Sequence, residues 1–217
     1  METGKLSSMT PADLLTQHIS QLRACRRCPG VLPPPVLGSA PQALVYLYGQ
    51  APGPREQALG KPFAGPAGRT LFRWLATLGV SEDTFRQRVW MGACLRCFPG
   101  KQATGQGGDR RPTAAEMARC QPHLLTEIEL LRPGLLIPVG GMAMAQVGGL
   151  FGEIPRRLDQ AVGKVFPLAH GSHRFQAIPL PHPSGLSRWT QTPQGKALLA
   201  QALANIQTHP AWVKTFG

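Results

Sequence analysis

Acidic residues are scarce in this chain. Its 217 residues hold 11 Asp and Glu against 23 Lys and Arg, a formal charge of +12 with neutral histidines. Charged residues are only 16% of the total, so the imbalance reflects missing acids rather than surplus bases. That balance suits a polyanionic partner, nucleic acid first and a membrane surface second, and speaks to association rather than fold. Cysteine is sparse too. Five is an odd count, far below the density of a disulfide scaffold. The opening Met1-Glu2-Thr3-Gly4-Lys5 lacks the basic-then-apolar layout of a signal peptide, so a cytoplasmic protein is expected. One uncharged stretch, Gly134 to Gly152, has 19 residues, near the length that spans a bilayer. Its six glycines, Pro138 and Gln146 argue instead for a buried strand, a turn at Gly140-Gly141 and a short helix.

What is present is enough for one sizeable core. Hydrophobic residues make up 42% of the chain, and the length predicts a single domain over residues 1–217. Four apolar runs read as strands buried on both faces: Ala43 to Tyr48, Val89 to Leu95, Leu135 to Val139 and Phe175 to Leu180. Helical spacing is expected over Pro11 to Cys25, Thr70 to Leu78, Thr113 to Leu131 and Gly195 to Ile206. In the third of these, Thr113 followed by Glu116 has the form of a capping box. Strands alternating with helices predict an open, mostly parallel α/β sheet. Pro29, Pro33, Pro34, Pro35 and Pro41 impose an extended connection. Residues 100–111, rich in glycine and ending in Asp109-Arg110-Arg111, read as a mobile loop. Val165 to Leu180 reads as a hairpin turning at His170-Gly171-Ser172-His173. His170 and His173 have ligand-like spacing, but a polar hairpin tip accounts for them.

The cysteines form two C-x2-C pairs, Cys25/Cys28 and Cys94/Cys97, with Cys120 to follow. In a reducing compartment such pairs hold metal more often than they stand idle. Two sets of four are available. Cys94 falls in an expected strand, where an odd separation sends it and Cys97 to opposite faces. Cys25, Cys28, Cys97 and Cys120 are therefore the better set, with Cys94 as core. Four thiolates suit zinc or an iron–sulfur cluster, and spacing does not choose between them.

Two further segments carry chemistry. Gly49-Gln50-Ala51-Pro52-Gly53 follows the first strand at its carboxyl end, where open α/β sheets place ligands, and Gly60-Lys61-Pro62-Phe63-Ala64-Gly65 extends the same loop. The last strand leads into His182-Pro183-Ser184-Gly185-Leu186-Ser187-Arg188-Trp189. No lysine sits in the Gly49–Gly53 or His182–Trp189 motif, which excludes a Schiff-base lyase step from either.

In their order and spacing these pieces resemble the uracil-DNA glycosylase superfamily, closest to its iron–sulfur branch, family 4. The resemblance runs from about Cys25 to Ile206 and implies an α/β/α sandwich with a four-cysteine iron–sulfur site. It implies a monofunctional glycosylase of base-excision repair that flips a deaminated base out of DNA to reach its glycosidic bond. Gln50 and His182 take the catalytic positions, His182 donating to a base carbonyl as charge develops on the leaving base. Ala51, Glu56, Phe63 and Ala93 fall at base-pocket positions: Phe63 stacks on the base and Glu56 crowds the side that would exclude thymine. Leu186 is the apolar wedge, while Ser184, Ser187 and Arg188 contact DNA phosphates. Cys25, Cys28, Cys97 and Cys120 match the ligands of a 4Fe-4S cluster, with zinc as the alternative. The implied partner is DNA containing a deaminated base, bound by a monomer with no membrane contact.

Two positions depart from that pattern. Gln50 stands where the branch carries Glu; it can orient a water but cannot take its proton. Ala93 stands where family 4 has an asparagine that reads the uracil edge, although family 5 tolerates alanine there. A second function class therefore stays open: a glycosylase-fold iron–sulfur protein that binds damaged DNA or other nucleic acid with little or no excision.

Overall fold

The computed structural model describes residues 9–38, 40–102, 108–184 and 188–217. Among the described residues, five strands form one sheet: β1 (Val45–Gly49), β2 (Trp90–Ala93), β3 (Leu135–Pro138), β4 (Phe166–His170) and β5 (His173–Ala177). Their order is β2-β1-β3-β5-β4. The first four strands in that order are parallel, and β4 pairs antiparallel to β5 at the edge. Interior strand β1 is buried along all five residues, as its unbroken apolar run requires. The α/β expectation and the hairpin both hold. The turn falls at Gly171, whose φ of +55° suits glycine.

The helices that flank the sheet are α1 (Pro11–Arg23), α2 (Pro54–Leu59), α3 (Pro66–Ala76), α4 (Glu82–Arg88), α5 (Ala114–Leu131), α6 (Gly141–Phe151), α7 (Leu158–Ala161), α8 (Pro193–Thr208) and α9 (Pro210–Phe216). α5 begins with the expected capping box, in which Thr113 Oγ1 accepts from Glu116 N–H and Glu116 accepts from Thr113 N–H. It ends at Arg132, with φ +47°, just before Pro133. Thr10 and Asp13 start α1 the same way. The uncharged Gly134–Gly152 stretch divides into β3, a turn at Gly140 and α6. Among the described residues, no helix is long and apolar enough to cross a membrane.

The second strand ends two residues before its apolar run does. β2 stops at Ala93, so Cys94 lies beyond the sheet and its separation from Cys97 is not strand alternation. The chain still follows β1 there, because Cys94 N–H donates to Gly49 O at 3.0 Å and Leu95 N–H to Gln50 O at 3.1 Å. The parallel ladder between β3 and β5 likewise continues past the end of its strand. Ile178 N–H donates to Leu136 O and Leu180 N–H to Pro138 O, which carries the chain straight toward His182. The base of the 100–111 loop is pinned by an antiparallel bridge between Lys101 and Asp109; residues 103–107 lie outside those described.

Candidate active site

Parallel strands deliver their carboxyl ends to one edge, and the predicted site assembles there. Gln50 follows β1, Ala93 ends β2, Gly140 follows β3, and His182 follows the extension of β5. All four line one cavity of about 1040 Å³, together with Ala51, Glu56, Phe63 and Ser184. Every described residue predicted for catalysis or the base pocket is thus at one place. Arg188 is exposed and outside the lining, next to Trp189, which packs on the core. Leu186 and Ser187 lie outside the described residues.

Phe63 is held in an uncommon way. Its φ is +52°, in the left-handed region, and its ring rests on bare backbone: a Cβ at Gly49 would lie 2.9 Å from Phe63 Cζ. The Arg86 guanidinium fixes the turn from behind, donating to Pro62 O at 2.7 Å and Phe63 O at 3.1 Å. Gly68 leaves room for that carbonyl, since a Cβ there would sit 1.7 Å from Phe63 O. The aromatic face is positioned before any ligand arrives.

Glu56 is also committed. One carboxylate oxygen accepts from Gly53 N–H at 3.1 Å and the other from Gly65 N–H at 2.7 Å. The carboxylate lines the cavity and ties the Gln50 loop to the Phe63 loop. Gln50 is half-buried, and its side-chain amide has no hydrogen-bond partner among the described residues.

His182 is half-buried and oriented by its neighbour. Ser184 N–H donates to His182 Nδ1 at 3.2 Å, which makes Nδ1 the acceptor and leaves the ring proton on Nε2. Gly140, with φ +86°, lets the backbone approach; a Cβ there would be 3.1 Å from His182 Cβ. Burial, and then the positive charge of Arg111, hold the imidazole below its ordinary pKa. Both favour the neutral ring, the form in which Nδ1 can accept from Ser184.

In the sequence Arg111 only closes the glycine-rich 100–111 segment. It lines the cavity and, like Arg55, has no side-chain ion pair or hydrogen bond among the described residues. The neighbouring cations are spoken for: Arg110 makes a two-pronged contact with Glu116 at 2.6 and 2.8 Å, and Lys101 pairs with Asp109. Arg110 helps hold the Glu116 carboxyl down at about 2.

A second cavity, of about 90 Å³, is lined by Cys25, Cys28, Cys97 and Cys120, together with Leu95 and Arg96 of the segment that follows β2. Cys94 is fully buried elsewhere, beside Tyr48. Four of the five cysteines thus line one cavity and Cys94 does not, although the strand argument for separating Cys94 from Cys97 does not apply. Burial followed by the neighbouring thiols pushes Cys97 up to about 12, and burial raises Cys28 and Cys120. Arg26, Arg27, Arg96 and Arg119 line the same cavity, so the four cysteines share it with four basic residues. Among the described residues, no three or more His, Cys, Asp or Glu side chains are already gathered closely enough to hold a metal ion.

The family model of the uracil DNA glycosylase superfamily matches residues 35–207, most of the chain. The chain belongs to that superfamily. A type-4 uracil-DNA glycosylase of Archaeoglobus fulgidus is 26% identical over 182 residues, which cover 79% of this chain and 82% of the relative. Another, from Pyrobaculum aerophilum, is 30% identical over 122 residues, 56% of this chain and 57% of the relative. A type-5 uracil-DNA glycosylase from Pyrobaculum aerophilum is 25% identical over 174 residues, covering 66% and 73% respectively. In this superfamily member both motif loops and the His182 segment fall within the matched region, while Cys25 and Cys28 precede it.

Proposed function

We propose that this chain is a monofunctional DNA glycosylase of base-excision repair that hydrolyses the N-glycosidic bond of uracil or another deaminated base flipped from DNA. The observation that carries the reading is His182, whose Nδ1 accepts from Ser184 N–H, in one cavity with Phe63 and Gln50. Phe63 supplies a fixed stacking face for the flipped base. The C1′–N bond breaks with its electron pair passing to the base, and His182 Nε2–H donates to the base carbonyl where that charge develops. Gln50 accepts from and orients a water whose oxygen bonds to C1′, and the proton of that water passes to solvent. Arg55 and Arg111 on the cavity wall, and Arg188 outside it, are read as phosphate contacts, so affinity falls steeply with salt. Leu186 and Ser187 are assigned the wedge and a phosphate contact on the resemblance alone.

Cys25, Cys28, Cys97 and Cys120 are assigned a 4Fe-4S cluster, with zinc as the alternative. The donor set and its four arginines fit an anionic sulfur-rich group, and so does Arg96 Nη1, a buried nitrogen with no acceptor among the described residues. Such a group would brace the α1 end against the Cys97 segment and α5 rather than take part in hydrolysis.

The deciding experiment is excision by purified protein on matched oligonucleotides containing uracil, hypoxanthine, xanthine or thymine. Cleavage of one substrate that is lost in His182→Ala supports the enzyme and names its base. Binding without cleavage at any protein concentration would overturn excision. It would favour the second reading, a damage-binding module, to which Gln50 and Ala93 already point.

A further inference from the structure

One side chain lines the cysteine cavity and bonds a residue that lines the large one. Arg96 is 1% exposed, and its guanidinium reaches in several directions. Nε donates to Ala93 O at 3.0 Å, at the end of β2 where the large cavity begins. Nη2 donates to Tyr46 OH at 2.9 Å and to Glu127 Oε2 at 2.5 Å. Tyr46 OH also donates to Glu127, and His18 approaches the other carboxylate oxygen at 3.4 Å. Nη1 is left over: buried, with no acceptor among the described residues. Arg96 lines the four-cysteine cavity.

An unpaired buried donor is costly, about 1–3 kcal/mol and more for a charged group. A guanidinium that spends its other nitrogens on strong partners and keeps one bare, in a residue that lines the four-cysteine cavity, has the form of a site awaiting an acceptor. The backbone is shaped to admit it. A Cβ on Gly92 would lie 2.7 Å from Arg96 Nη2 and 2.4 Å from Tyr46 OH, so only glycine leaves the guanidinium where it is. Cys120, whose thiol feels Arg96 directly, lies two helical turns before Glu127 on α5. One helix thus supplies both a cysteine and the counter-charge.

We propose that Arg96 is a positioning residue that couples the cysteine cavity to the base pocket. Its Nη1–H donates to a sulfur of the group held there, while its Nε–H fixes the Ala93 carbonyl at the pocket edge. This rests on the cofactor reading above and goes beyond it, since it assigns the hydrogen bond that tunes the group and the route by which its presence reaches the pocket.

The test uses the full chain loaded with iron and sulfide. Arg96→Lys keeps the charge opposite Glu127 but removes the planar fork. Gly92→Ala leaves Arg96 chemically intact and displaces it. Both should load normally and then release iron to a ferrous chelator about tenfold faster than wild type. In Arg96→Lys the midpoint potential should also fall, because a donor that stabilises the more negative reduced cluster has gone. Mere loosening of the fold does not dictate that direction. Wild-type release and potential in a folded, loaded Arg96→Lys chain would overturn the inference and leave the cofactor reading standing. A wild-type chain that takes up no iron and sulfide would overturn both.

Discussion

Ser184 N–H and His182 Nδ1, 3.2 Å apart, fix which imidazole nitrogen carries the proton. The contact needs a neutral ring, because a protonated Nδ1 is itself a donor and would face Ser184 N–H donor to donor. Burial and Arg111 keep the folded pKa below the ordinary value of 6.5. The neutral form persists above that lowered pKa and is lost as pH falls through it. Single-turnover excision is therefore expected to stay level through neutral pH and to drop only on the acid side of 6.5. Arg111→Gln removes a cation that disfavours imidazolium, so the acid limb should move upward, toward the unperturbed value. A limb that stays in place in that variant would separate Arg111 from the imidazole.

At position 50 a carboxylate would add what the amide lacks, a proton acceptor for the attacking water. Gln50→Glu changes little in size, and the side chain has no protein partner to lose among the described residues. General-base assistance contributes about 10²- to 10⁴-fold where it operates. The substitution should raise the single-turnover rate toward that range and bring in a new ionisation below neutral pH. An unchanged rate would mean that water activation does not pass through residue 50.

How much of this was legible before folding depends on whether the signal was local. Strands buried on both faces leave continuous apolar runs, so β1, β3 and the hairpin of β4 and β5 could be read directly. The end of β2 could not, because Cys94 and Leu95 continue the apolar run after the pairing has stopped. α2, α4, α7 and α9 were missed. Each is no more than seven residues long, too short for periodicity to build up, though Ser81 before Glu82 and Asp83 was an available cap signal for α4. The pocket residues were found through ordered motifs. Arg96 and Glu127 were not, since a buried ion pair between residues 31 apart leaves no trace in spacing.

Phe63 offers a test of preorganisation. Its carbonyl occupies the place where a side chain at residue 68 would have to go, and the obstacle is backbone rather than the flexible end of a side chain. Gly68→Ala should therefore cost at least the 1–3 kcal/mol typical of overpacking, read as a lower denaturant midpoint. Because the Phe63 turn must shift, substrate affinity should fall as well. Phe63→Leu would lower affinity with a smaller stability loss. If Gly68→Ala binds damaged DNA normally, the stacking face is not set by this turn.

Glu56 divides two explanations of how thymine is kept out. A carboxylate that acts by bulk should admit thymine when shortened. A carboxylate with both oxygens on backbone N–H groups acts first as a clasp between the Gly53 and Gly65 loops. Hydrogen bonds to a charged group contribute about 1.5–3 kcal/mol each, less where water competes. Glu56→Gln keeps the volume but replaces one acceptor oxygen with a donor, so one of the two N–H groups loses its partner. The clasp predicts a lower melting temperature and weaker excision of the preferred base, with thymine still refused. Glu56→Ala would then behave as a stronger version of the same defect. Thymine excision appearing in Glu56→Ala but not in Glu56→Gln, with stability little changed, would instead assign the residue to steric exclusion.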